Sequence, residues 1–74
     1  MEVLFAVVLN FNHRGFGFLL PDGSRQQLFF HVKDVVGRLT LREGDRVSFS
    51  ITPDPKGERA TNVRLLESGP AVQS

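Results

Sequence analysis

Arg14-Gly15-Phe16-Gly17-Phe18 and Phe29-Phe30-His31 decide how this chain is read. In a strand, successive side chains point to opposite faces, so Phe16 and Phe18 share one face. Phe29 and His31 do the same on the strand that follows. Paired with these faces together, the two strands set four flat rings side by side on a sheet surface, with Gly15 and Gly17 leaving room around them. Such a patch is poorly served by water, and unpaired nucleobases are the commonest flat partner for it.

Working outward, Pro21-Asp22-Gly23-Ser24 is a turn, since proline presets one dihedral and glycine admits positive φ. It joins a strand over Phe16 to Leu20 to one over Leu28 to Val32, in which Leu28, Phe30 and Val32 face inward. Upstream, Val3 to Leu9 reads as a first strand of β-branched and large apolar residues. Downstream, Lys33 to Asp45 lacks alternation and predicts one helical turn near Lys33–Val36. Val47, Phe49 and Ile51 alternate with Arg46, Ser48 and Ser50, the signature of a half-buried strand. The turn Pro53-Asp54-Pro55-Lys56-Gly57 then leads into a fifth strand from Arg59 to Leu66. The expected inward set is Leu19, Leu28, Phe30, Val47, Phe49 and Ile51. Five short strands without a long helix predict an all-β fold, a small antiparallel barrel over residues 1–66, followed by a flexible tail over 67–74.

Bulk properties narrow the classes. The chain has 74 residues, the size of one small domain, and no cysteine. A disulfide framework and a thiolate metal site are therefore excluded, and closing a sheet into a barrel is an economical way to stabilise so few residues. The formal net charge is only +1, so attraction for a polyanion must come from local placement of cations. Most of those cations are arginine, which stacks on bases as well as meeting phosphate. The apolar run Val3 to Leu9 is far too short to span a membrane and lacks the marks of a secretory signal. A cytoplasmic protein with no membrane association is expected.

Taken in order, Gly15-Phe16-Gly17-Phe18-Leu19, Pro21-Asp22-Gly23, Leu28-Phe29-Phe30-His31, Glu43-Gly44-Asp45-Arg46-Val47-Ser48-Phe49 and Ala60-Thr61-Asn62-Val63 resemble the cold shock domain family. The similarity runs from about Phe11 to Leu66, and the paired G-F-G-F and F-x-H segments are its most specific part. It implies a five-stranded oligonucleotide/oligosaccharide-binding (OB) barrel that holds single-stranded RNA or DNA, with Phe16, Phe18, Phe29 and His31 as the stacking rings. Arg14 takes the place of the family's lysine before the first glycine. The chain also departs from the pattern. The family's surface tryptophan on the first strand falls on Leu9 without a gap, or on Asn10 with a one-residue gap that aligns Phe11 with the adjacent phenylalanine. Val32 replaces the aromatic after the histidine, and the connection near Val36-Gly37-Arg38-Leu39 is short and lacks its aromatic. These losses imply weaker binding than a typical member shows.

Each candidate has a simpler alternative. Phe16 and Phe18 could be core residues, but the inward set is already supplied by other side chains. Phe29 competes with Phe30 for the interior, and His31 on the outer face selects Phe29 as the exposed one. His31 has no cysteine or correctly spaced second histidine for a metal site. It also has no nucleophile and orienting acid around it for catalysis, so stacking with a hydrogen bond is the preferred role. No cofactor, metal or enzymatic activity is expected. Arg14, Lys33, Arg38 and Arg59 are candidates for a phosphate-contacting rim; Arg14 is favoured by its place beside the rings, while Lys33, Arg38 and Arg59 are equally readable as solvated surface. The first strand, apolar on both faces, is either covered by the barrel wall and a folded-over loop or marks a homodimer or partner contact. The leading expectation is an RNA-chaperone-like module of low sequence specificity, with roughly micromolar affinity from four platforms at about 1–3 kcal/mol each, set against the loss of strand freedom. The alternative is a small β-barrel used for protein contact or dimerisation.

Overall fold

The computed structural model describes residues 3–68. Its five strands are β1 (Leu4–Phe11), β2 (Phe16–Pro21), β3 (Leu28–His31), β4 (Arg46–Asp54) and β5 (Gly57–Glu67). All pair antiparallel, in the order β3-β2-β1-β4-β5. The sheet curls until β3 approaches β5, and a parallel bridge between Val35 and Val63 closes the seam. This is the expected five-stranded OB-type barrel. Ala6, Val8, Leu19, Phe30, Val35, Leu41, Val47, Phe49, Ala60 and Val63 form its buried core. Phe11 joins them from the partly buried rim, its ring stacked on Phe30 at 5.6 Å.

Alternation sets most of this arrangement. Val8 lies opposite Leu19, Leu19 opposite Leu28, and Gly17 opposite Phe30, so these residues line the interior while their neighbours face out. β1 is apolar on both faces because Ala6 and Val8 point inward while Phe5, Val7 and Leu9 point outward. No loop among the described residues folds over the start of that outer face: Val3 and Phe5 are 57% and 47% exposed.

Four details depart from the sequence reading. β1 runs on to Phe11 because a bulge between Val8 and Asn10 absorbs one residue and restores the pairing of Asn10 with Phe18. The single helical turn near Lys33–Val36 is instead two 3-10 turns, Val32–Asp34 and Val36–Arg38, separated by extended Val35. In β4, Phe49 faces two β5 residues, because Ser48 pairs with Arg64 but Ser50 with Thr61. The bulge lies at Asn62, whose φ of 50° suits asparagine better than most residues. Finally, Ile51 is not core. It lies on the β4–β5 hairpin beyond Phe49, the last β4 residue paired with β1. There it is 40% exposed and lines an open cleft with Pro21 and Leu28. The expected tail falls largely on residues 69–74, outside the described residues; its first residue, Glu67, is the last of β5.

Candidate nucleic-acid interface

Two cross-strand rows build the candidate site. Phe16 lies opposite His31, and Phe18 opposite Phe29, so all four side chains share the outer face of the β2–β3 hairpin. Phe29 is central: its ring centre is 5.9 Å from that of Phe16, tilted by 33°, and 6.0 Å from that of Phe18, edge-on at 72°. These are favourable separations for aromatic pairs, so the rings hold one another in place while part of each surface stays in water. Phe29 is the most open, at 37% exposed, and Phe16, Phe18 and His31 are half-buried. Next door, Phe30 is fully buried: alternation separates the pair.

The glycines between the rings have distinct tasks. A Cβ at Gly17 would stand 2.1 Å from the Asn10 carbonyl oxygen and 3.0 Å from the Phe11 Cα. Gly17 therefore lets β1 cross close beneath the two rings. Gly15, with φ +90°, turns the chain into β2 and accepts a hydrogen bond from the Val32 amide at 2.6 Å, which ties the loop before β2 to the segment after β3. Asn12 shapes that loop. Its Oδ1 accepts from the Arg14 amide at 2.9 Å, an Asx-type turn that sets where Arg14 leaves the chain.

His31 is fixed from two sides. Its Nδ1 accepts the Lys33 amide at 3.2 Å, and its own amide donates to Asp34 Oδ2 at 3.2 Å. With Nδ1 used as an acceptor, Nε2 carries the ring proton. Asp34 in turn meets Arg59 at 3.3 Å, with their side chains 7% and 34% exposed. Arg59, which the sequence left open as a rim cation, thus braces the turn that orients His31. Asp22 is also engaged: Arg46 grips it through two hydrogen bonds of 2.9 and 2.8 Å. The hydrogen bond from Arg46 holds the Asp22 carboxyl below the usual carboxylate range, and the charge of Arg46 acts the same way while desolvation opposes it. Asp34, in the turn after His31, and Asp22, beyond the far end of β2, are therefore each paired with an arginine. The side chains of Arg14 and Lys33 are exposed and form no ion pair among the described residues.

Sequence reasoning missed the contribution of the β4–β5 hairpin. Its tip, Pro55-Lys56, lies beside Phe29 in a cleft also lined by Asp54, Glu58 and Arg59. The turn expected over Pro53 to Gly57 narrows to Pro55-Lys56, with Pro53, Asp54 and Gly57 paired in the strands, and only barrel closure reveals that it reaches the ring surface.

The family comparison decides what kind of barrel this is. Residues 5–66 match the 'Cold-shock' DNA-binding domain. The chain belongs to the cold shock domain family. It is 43% identical over 55 residues to a cold shock-like protein CspA of Stigmatella aurantiaca, covering 72% of this chain and 81% of that protein. A cold shock-like protein CspA of Vibrio cholerae is 44% identical over 55 residues, covering 72% and 79%. A probable cold shock protein A of Mycobacterium tuberculosis is 40% identical over the same length, covering 72% and 82%. Leu9 is the residue of the β1 bulge, and Asn10 pairs with Phe18, placing Asn10 on the face of the rings. No described helix is long and apolar enough to cross a membrane, and no described cluster of His, Cys, Asp or Glu could hold a metal ion.

Proposed function

We propose that this cold shock domain holds single-stranded RNA or DNA by stacking bases on Phe16, Phe18, Phe29 and His31, with Arg14 and Lys33 meeting the backbone. The observation that carries the proposal is the cluster of three phenyl rings, Phe29 with the centres of Phe16 and Phe18 each about 6 Å from its own, partly open to water on one sheet face. Every base has a π-face, so such a surface accepts strands with little regard to sequence. Duplex bases are already stacked and have no face to offer. A domain of this kind keeps RNA unpaired by mass action, without a cofactor or a chemical step, as an RNA chaperone does.

Fluorescence anisotropy with a labelled thymine heptamer tests this. The wild type binds at roughly micromolar Kd, the corresponding duplex binds much more weakly, and Phe16→Ala or Phe29→Ala loses most of the affinity while circular dichroism stays native. Lack of binding to the heptamer even at low salt sinks the proposal.

The exposed Val3 and Phe5 favour a second reading, in which the outer face of β1 contacts another copy of the chain. Sedimentation equilibrium at high micromolar concentration would then show a dimer, and a pure monomer would dispose of the idea.

A further inference from the structure

The geometry points to Asn10 as a residue that hydrogen-bonds the edge of the base lying on Phe18, an inference that rests on the stacking function proposed above. Three observations lead to it. Asn10 is paired with Phe18 across β1 and β2 and is exposed on the same face; opposite residues in antiparallel strands hold their Cβ atoms about 4.5–5.5 Å apart. Its backbone lies hard against β2, since its carbonyl oxygen occupies the space that a Cβ at Gly17 would need. Its side-chain amide has no hydrogen-bond partner among the described residues, whereas the other polar side chain in the two ring rows, His31, has Nδ1 already engaged by the Lys33 amide.

A short amide beside a flat ring does something a ring cannot. A base on Phe18 is held by its face, and its edge projects over the neighbouring strand. Asparagine offers one acceptor and two donors there, and each nucleobase carries a donor and an acceptor on adjacent edge atoms. The Asn10 amide can therefore pair with that edge through Oδ1 and Nδ2 while Phe18 supports the face. Across the row, Phe29 extends the stacking surface on the other side of Phe18. Asn10 would thereby add a directional contact at one subsite of the stacking surface. All four bases satisfy that contact on some edge, so it adds affinity and fixes register without strict sequence preference.

The test is a thermodynamic cycle read by anisotropy. The ligands are a thymine heptamer and the same heptamer with every thymine replaced by 2,4-difluorotoluene, which keeps the shape and stacking face but lacks good hydrogen-bonding groups. The proteins are the wild type and Asn10→Leu, with Asn10→Ala as a second variant should the first fail to give a native circular dichroism spectrum. The fluorinated heptamer should weaken wild-type binding about fivefold more than it weakens binding by the variant. An equal penalty in both proteins overturns the role of Asn10 while leaving stacking intact. Failure of the wild type to bind the thymine heptamer overturns the stacking function itself, and this inference with it.

Discussion

Replacing Gly17 with alanine probes the contact that brings β1 beneath the rings. The added Cβ would meet the Asn10 carbonyl oxygen at 2.1 Å and the Asn10 carbonyl carbon and Phe11 Cα at 3.0 Å. Heavy-atom contacts are optimal near about 3.5–4.0 Å, so more than 1 Å of relief is needed, and only backbone atoms stand in the way. Overpacking of this kind costs roughly 1–3 kcal/mol. Parting β1 from β2 also weakens one or two ladder hydrogen bonds, each worth about 1 kcal/mol. Against this, alanine restricts the unfolded chain and returns about 0.4–1 kcal/mol. The net expectation is a loss of about 2–4 kcal/mol. For a chain of 74 residues, total stability is roughly 4–11 kcal/mol, so the variant loses a large share of it and melts roughly 10–30 °C lower. Urea denaturation followed by far-ultraviolet circular dichroism is the assay, because the chain has no tryptophan or tyrosine to report by fluorescence. Gly23→Ala is the control: its φ is +78°, but a Cβ there meets nothing within 4 Å, so it incurs only the backbone penalty of about 1–2 kcal/mol. If Gly17→Ala proves no more destabilising than Gly23→Ala, the close-crossing argument is wrong.

Three further outcomes are expected. Phe30→Ala should cost about 3–5 kcal/mol of stability, whereas Phe29→Ala should leave the fold largely intact and weaken oligonucleotide binding by about 1–3 kcal/mol; denaturation and anisotropy on the same two proteins show whether the effects separate this way. Arg14→Gln and Lys33→Gln should each lower the slope of log K against log salt by about 0.7, while Arg59→Gln, whose cation is engaged by Asp34, should leave the slope unchanged and reduce stability; an altered slope in Arg59→Gln would contradict that assignment. Asp22 has its carboxyl pKa lowered in the folded state, so the stabilisation is present above its unfolded pKa of about 3.9 and lost as pH falls through the lower folded value. Asp22→Asn should therefore be less stable than the wild type at pH 7 but nearly equal to it near pH 2 in urea titrations, and a gap of constant size would refute the linkage.

How much of this was legible in the sequence depends on the kind of signal. Side-chain direction in β2 and β3 follows from period-two alternation alone, which is why the outward placement of Phe16, Phe18, Phe29 and His31 could be read before any coordinates. Two further features required knowledge of partners across space. Ile51 has the parity of a core residue, yet it sits where the hairpin has outrun the barrel, and alternation does not show where a neighbouring strand ends. The bulge that puts Asn10 opposite Phe18 is a choice of register between β1 and β2, and no residue of Val8-Leu9-Asn10-Phe11 announces it. The bracing of His31 through Asp34 and Arg59 joins residues far apart in sequence and became visible only with the curl of the sheet.

The most direct measurement is a proton NMR titration of the domain with a short thymine oligonucleotide, assigned at the aromatic side chains. Stacking requires upfield shifts of the Phe16, Phe18, Phe29 and His31 ring protons, with nuclear Overhauser contacts from those rings to thymine methyl groups and little change at buried Phe30. Contacts confined to another face of the barrel, with the four rings unmoved, would contradict it.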